Sequence, residues 1–372
     1  MKNKLSHSAV SMYSTCGLKY KYHYVDKLRS KYIHGALLFG RALDLALNHL
    51  VQTKNLQESI DIYEKEYRFS LINNKLTYLP EANCIVYSER DFDYHLLDEF
   101  DIEKHAQLKA KLELPDTQTM QQESDYFKEK KKSVGFKNFE PIEKVIYNHI
   151  NWLSMRQRGL IMLRDYNKFI IPKIKEVIAV QKALSLDNEE GDSIIGYIDL
   201  IVRWEDDKVY LLDNKTSYFE YAEDSAMQSQ QLILYYHATK DEYKLDGVGF
   251  IVLYKALNKN TKKECSACKF DGTGGRHKTC NNEIEGKRCG AEWIVTIDPE
   301  CYIKPILNQV TQAGEDLVLE TFDVTNEGIK KENYAPNLAS CTTNYGLCPY
   351  FRKCWYQDDS ELIDMKQEKK DE

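Results

Sequence analysis

Asp199, Asp213 and Lys215 fall within residues 196–216, GYIDLIVRWEDDKVYLLDNKT. Two carboxylates beside a lysine are the groups that metal-assisted hydrolysis of a phosphodiester requires. Hard divalent cations such as Mg²⁺ or Mn²⁺ take oxygen ligands, usually one or two carboxylates completed by water and substrate phosphate. Asp199 and Asp213 suit that demand, and the backbone carbonyl of Asn214 offers another oxygen. A lysine near the ion can orient or deprotonate the attacking water, the role open to Lys215. On a solvated hairpin the same Asp213-Asn214-Lys215 would be a surface ion pair without chemistry.

Converging these groups takes a strand, a tight turn and a second strand. Residues 194–204 and 209–212 are β-branched, aromatic and aliphatic, and Glu205-Asp206-Asp207 is a polar run suited to a hairpin loop. A three-residue loop sets Trp204 opposite Lys208 and therefore Asp199 opposite Asp213. Strand side chains alternate, so Asp213 and Lys215 share a face and Asn214 takes the other.

Gly-x-x-Asp (196–199), Asp-x-Lys-Thr (213–216) and Gln231-Leu-Ile-Leu-Tyr235 on a following helix together resemble the RecB-like branch of the PD-(D/E)XK nuclease superfamily. The resemblance implies an α/β fold, a mixed central sheet flanked by helices. It implies that Gln231 and Tyr235 position the lysine or the substrate strand. That family also carries Gly-x-x-x-His on an early helix, and this chain has Gly40-Arg-Ala-Leu-Asp44. Asp44 then stands in the histidine's place as an oxygen ligand, harder and more charged than imidazole. The family's glutamate before Gly-x-x-Asp is replaced by Gln181, and Glu176 lies too early to substitute.

Ten cysteines follow an N-terminus without the apolar run of a signal peptide, which points to a reducing cytoplasm and to metal binding over disulfides. Cys265, Cys268, Cys280 and Cys289 form a local quartet in a glycine-rich, basic loop, the pattern of a closed structural Zn²⁺ site, with His277 as a substitute ligand. Cys341, Cys348 and Cys354 are three ligands in want of a fourth. Cys16 lies in LSHSAVSMYSTCGLKYKYHYV, which resembles the N-terminal element of iron–sulfur RecB-like proteins such as the AddB nuclease domain and CRISPR-associated RecB-like exonucleases. That resemblance implies a [4Fe–4S] cluster on Cys16, Cys341, Cys348 and Cys354, clipping the two ends of the chain together. Without it, Cys16 would be a small buried apolar residue. Core packing is the reading for Cys84 and Cys301.

The motifs of one nuclease core spread along the chain, so one elaborated core is expected. Its parts are N-terminal helices (1–50, the first capped by Ser6 or Ser8), a helical insertion (51–175) and the core (176–257). A zinc-binding insertion (258–292), core completion with the iron–sulfur segment (293–357) and a charged tail (358–372) follow. Helical periodicity marks residues 108–112 and 142–163, and KEKKK at 128–132 reads as a solvated charge run. Within the core and its completion, strands are expected at 176–186, 194–204, 208–216 and 248–257. Helices are expected at 225–238 and 299–319, and strand 293–297 should pair with strand 248–257 across the zinc loop.

The formal charge of -7 excludes a protein that coats nucleic acid through bulk positive charge, and no apolar run is long enough to span a membrane. A DNA path must be local. Candidates are Lys19, Lys21, Lys27, Arg29 and Lys31 interleaved with Tyr20, Tyr22 and Tyr24, and the zinc loop with Lys259, Lys262, Lys263, Arg276, Lys278, Lys287 and Arg288. The tyrosines could equally be packing residues.

The expectation is a Mg²⁺- or Mn²⁺-dependent DNA exonuclease of recombination, repair or replication, with a helicase or recombination protein as partner. Phage or mobile-element origin follows by analogy with compact stand-alone relatives. An inactive DNA-binding adaptor that keeps the fold is the alternative, and a redox sensor built on the cluster is a third class.

Overall fold

The computed structural model describes residues 4–30, 32–69, 76–79, 84–87, 110, 120–187, 193–272, 277–343 and 346–368. Residues 108–109, 111–112, Lys31 and Arg276, named above, lie outside them, as do the side chains of Lys259 and Cys84.

The central sheet is built from β1 (Lys4–Ser6), β2 (Ile174–Asp187), β3 (Ser193–Trp204), β4 (Val209–Ser217), β5 (Gly247–Tyr254) and β6 (Ile303–Asn308). β2 pairs with β3 antiparallel along most of its length. On its other side, β3 meets β1 in parallel through Ser193–Ile195, then β4 antiparallel through Leu200–Arg203. β4 runs parallel to β5, and β6 closes the edge antiparallel to β5. β5 reads GVGFIVLY and is buried throughout, as expected of a strand covered on both faces.

Helices cover both faces: α1 (His7–Thr15), α2 (Gly35–Thr53), α3 (Leu56–Phe69), α4 (Met120–Val134), α5 (Pro141–Phe169), α6 (Gln230–Tyr243) and α7 (Gln312–Lys330). Ile201 and Leu211 pack with α1, α6 and α7. Leu200, Val202 and Leu212 pack with α2, α3 and α5. The alternation along β3 and β4 thus divides the core into two layers. Ser6 caps α1, its Oγ accepting from the Ala9 N–H at 3.2 Å.

Two helix expectations are corrected. α6 begins at Gln230 behind the Ser229 cap, because residues 223–228 form turns. The stretch expected as a helix from Pro299 instead finishes the strand Trp293–Glu300 and then forms β6, and α7 starts only after the Thr311 cap. β6 contains Pro305, which has no N–H for a helix interior but is tolerated on a sheet's edge strand. The middle segment is helical in α3, α4 and α5, yet it also carries strands Leu76–Leu79 and Cys84–Tyr87, the latter paired to Tyr32–His34. Lys130 in the charge run is ion-paired to the buried Glu143, so that run is not wholly solvated.

The two ends of the chain meet. Strand Leu362–Asp364 pairs with Leu28–Ser30, and the Tyr13 hydroxyl donates to the Asn333 carbonyl at 2.5 Å. A Cβ at Gly17 would collide with the backbone of Tyr334 and Ala335, so glycine there permits the close approach.

Candidate active site

The hairpin forms in the expected register. Trp204 N–H donates to the Lys208 carbonyl at 2.9 Å, Asp207 takes the left-handed backbone of a three-residue loop (φ 67), and Leu200 pairs with Leu212. The ladder stops there, at the fork where the first half of β3 leaves β4 to pair with β1. Asp199 and Asp213 are the next residues on each side, so both carboxylates sit where the sheet opens.

Asp213 is buried, at 5% exposure, and its carboxylate is ion-paired to Lys215. Burial pushes the Asp199 carboxyl up to about 9, reinforced by a hydrogen bond with Asp213 and by the charges of Asp213 and Asp44. Asp44, supplied by α2, is pushed up to about 6, first by burial and then by Asp213. Burial alone would lower Lys215, but Asp213 and then Asp199 more than offset it and hold the ammonium above its ordinary value.

Asn214 takes the opposite face, where its Oδ1 accepts from the Tyr166 hydroxyl at 3.2 Å. Tyr235 on α6 is hydrogen-bonded to Gln231 and lies within electrostatic reach of Asp199 and Asp213. A side chain at Gly196 would run into the Tyr235 ring, which explains the glycine of Gly-x-x-Asp. Gln181 Nε2 donates to Asp199 Oδ1 at 3.3 Å, whereas Glu176 is ion-paired on the surface with Arg203. The sequence-derived group of Asp44, Asp199, Asp213, Lys215, Gln231 and Tyr235 is therefore gathered around one fork.

Three residues nearby were not singled out from sequence. His7, directly after the Ser6 cap, is held below its ordinary range by burial and then by Lys215, with Asp213 opposing. Lys255 follows β5 and, with Asp44, Asn214 and Lys215, lines a cleft of about 610 Å³. Arg158 of α5 bonds Tyr218 near the same cleft. A lysine directly after an all-apolar strand is a signal that could have found Lys255.

The donor set suits a hard divalent cation. Buried carboxylates crowded until one holds its proton to about pH 9 form a site short of positive charge. Asp44 Oδ1 is buried without a hydrogen-bond partner among the described residues, leaving a lone pair available to an ion.

The cysteines separate into two sites. Cys265, Cys268, Cys280 and Cys289 place their sulfurs within 4.8 Å of one another, with Cys265–Cys289 and Cys268–Cys280 both at 3.6 Å. They could hold a metal ion. A separate hairpin, Asn258–Cys265 with Trp293–Glu300, carries this loop, which corrects the expected pairing of 293–297 with 248–257, because β5 takes β6 as its edge partner instead. His277 is not in the group, and its backbone carbonyl accepts from Trp293 Nε1.

Cys16, Cys341, Cys348 and Cys354 line a cavity of about 230 Å³ together with apolar residues such as Leu18 and Trp355. Burial and then the Cys348 thiol raise Cys354 above its ordinary value, with Cys16 and Cys341 adding to the effect. Cys301 is a core residue, its thiol pushed up to about 12 by burial.

Some cations of each basic stretch are engaged within the fold. Lys21 pairs with Asp26 and Arg29 donates to the His23 and Leu28 carbonyls. Tyr20 stacks on Tyr334, and Tyr22 meets Tyr350, so these tyrosines are packing residues. In the loop of the Cys265 quartet Arg288 braces the Thr279 and Cys280 carbonyls, and Lys269 pairs with Glu264.

The chain belongs to the PD-(D/E)XK nuclease superfamily, whose family model matches residues 4–354. Members of that superfamily are generally nucleases and use divalent metals. No curated protein matches the chain. Among the described residues no helix is long and apolar enough to cross a membrane.

Proposed function

We propose that the protein is a divalent-metal-dependent DNA exonuclease of the RecB-like iron–sulfur group, acting in recombination, repair or replication. The carrying observation is the meeting of Asp44, Asp199, Asp213 and Lys215 at the fork of β3 and β4, with Asp44 Oδ1 lacking a partner among the described residues. The three carboxylates would hold Mg²⁺ or Mn²⁺, with the Asn214 carbonyl as a further oxygen. When bound, the ion supplies charge neutralisation at the scissile phosphate and a more acidic water. Lys215, kept protonated by Asp213, serves as a donor that orients the water or a phosphate oxygen. Gln231 and Tyr235 fix the wall beside Asp199.

The cysteine sites support stapling roles. Four sulfurs about 2.3 Å from one zinc ion lie about 3.8 Å apart, close to the spacing in the Cys265 quartet, so we assign Zn²⁺ there. The Cys16 quartet surrounds a cavity roomier than one ion requires, which favours a [4Fe–4S] cluster. The exonuclease reading and a recombination partner such as a helicase rest on the resemblance of that element to iron–sulfur relatives.

The test is digestion of labelled single- and double-stranded DNA, with free and blocked ends, in Mg²⁺ or Mn²⁺. Wild type should degrade DNA from free ends, and Lys215→Ala should lose about 10²–10⁴-fold in rate. Equal digestion by both would remove Lys215 from the mechanism. Binding without cleavage by wild type under either metal would favour the inactive adaptor, for which Gln181 in place of a glutamate is the supporting observation.

A further inference from the structure

The cleft that holds Asp44 and Lys215 also holds a buried cation that the metal site does not use. Lys255 is only 8% exposed, and among the described residues no carboxylate pairs with it. Its ammonium lies 5.2 Å from the Phe39 ring centroid and 5.4 Å from that of Tyr218. Aromatic faces attract a cation but replace only part of its lost hydration. Arg158 stands beside it, with Nη1 donating to the Tyr218 hydroxyl at 2.9 Å and no carboxylate partner among the described residues. Two neighbouring cations without a carboxylate partner, one in the wall of the cleft and one beside it, are costly to the free protein and favourable to a bound anion.

The sheet gives this pair its place relative to the carboxylates. Lys215 is level with Val252 across the β4–β5 ladder, and Lys255 lies three residues further on, its N–H donating to the Ser217 carbonyl at 2.7 Å. Three strand residues advance about 10 Å. A polyanionic strand crossing the fork would therefore present a second phosphate to Lys255.

We propose that Lys255 and Arg158 form a phosphate-binding subsite for the DNA strand, gripping a linkage one or two nucleotides from the scissile one and fixing its register. They are positioning residues, and the subsite rests on the nuclease reading of the adjacent carboxylates. Residues that neutralise backbone phosphates set the salt dependence of binding.

The experiment measures anisotropy of a labelled single-stranded oligonucleotide across a salt series, in a Lys215→Ala background with Mg²⁺ so that cleavage is suppressed. Lys255→Met keeps the stem's packing while removing the charge. It should weaken binding about tenfold and reduce the log K against log salt slope by about 0.7. Lys255→Arg should retain most of the affinity, and Arg158→Met should weaken binding in the same direction. With Lys215 restored, Lys255→Met should raise KM more than it lowers kcat.

A thermal midpoint for Lys255→Met at or above that of its parent separates lost binding from lost folding. Binding within twofold of the parent with an unchanged salt slope would overturn the subsite and leave the nuclease reading intact. Failure of wild type to cleave, with the slope change still seen, would overturn the nuclease reading and support the subsite. No DNA binding by the parent would overturn the subsite.

Discussion

Gln181 Nε2 donates to Asp199 Oδ1 at 3.3 Å across the β2–β3 pair, from a backbone in the left-handed region (φ 49). A non-glycine residue held there costs of order 1–3 kcal/mol, and here that conformation accompanies an amide directed at the site. Gln181→Glu would add a carboxylate beside Asp199. Its expected effects are a lower thermal midpoint without metal, tighter Mn²⁺ binding, and faster digestion at limiting Mn²⁺. Calorimetric titration with Mn²⁺ checks this, and an unchanged affinity would show that the amide position lies out of the ion's reach.

Asp199 gives the pH dependence. Its carboxyl is pushed up to about 9 by burial and by Asp213, far above an unfolded carboxylate at about 3.9. Between those values the folded state binds the extra proton, so metal-free stability falls as pH rises from about 4 to about 9. Asp199→Asn carries no such proton. The midpoint of EDTA-treated Asp199→Asn should therefore exceed that of wild type by more at pH 8 than at pH 6. Mn²⁺, which competes with the proton, should stabilise wild type more at pH 8. A constant difference between variant and wild type across this range would refute the shift.

Local rules made part of this site readable. A three-residue polar loop sets register by turn geometry, and strand alternation then sorts Asp213 and Lys215 from Asn214, all within about twenty residues of chain. Asp44 and the Gln231–Tyr235 helix were reached by family resemblance, because no periodicity tells which face of a distant helix meets a fork. His7 comes from almost two hundred residues earlier and depends on β1 pairing beside β3. No spacing rule encodes that contact. Edge strand β6 was missed because Ile303–Asn308 is short and contains Pro305, and its identity is fixed by pairing with β5.

Gly196 tests how Tyr235 is seated. An added methyl meets the Tyr235 ring, and overpacking of this kind costs about 1–3 kcal/mol. Gly196→Ala should show that loss in urea unfolding and lower activity by displacing Tyr235 from Asp199. Tyr235→Ala clears the space, so adding Gly196→Ala to it should have little further effect on stability. Additive losses in the double variant would mean that the glycine serves the backbone and not the ring.

The two cysteine quartets should respond differently to loss of a ligand. Cys16 lies where the N-terminal helix meets the segment after α7, with Asn337 N–H donating to its sulfur at 3.4 Å and Asn337 Nδ2 donating to the Thr15 carbonyl at 2.9 Å. The proposed cluster would tie elements more than three hundred residues apart, so its loss would free a very long loop. Cys268 tethers only the tip of one hairpin, outside the central sheet. Cys348→Ser should lose iron and sulfide and drop the thermal midpoint by about 5 °C or more. Cys268→Ser should lose zinc, loosen the hairpin tip to proteolysis and leave the midpoint within about 2 °C. Metal analysis of anaerobically purified wild type anchors the comparison, and zinc at the Cys16 quartet in place of iron would overturn the cluster assignment while leaving the stapling argument to be judged by the midpoints alone.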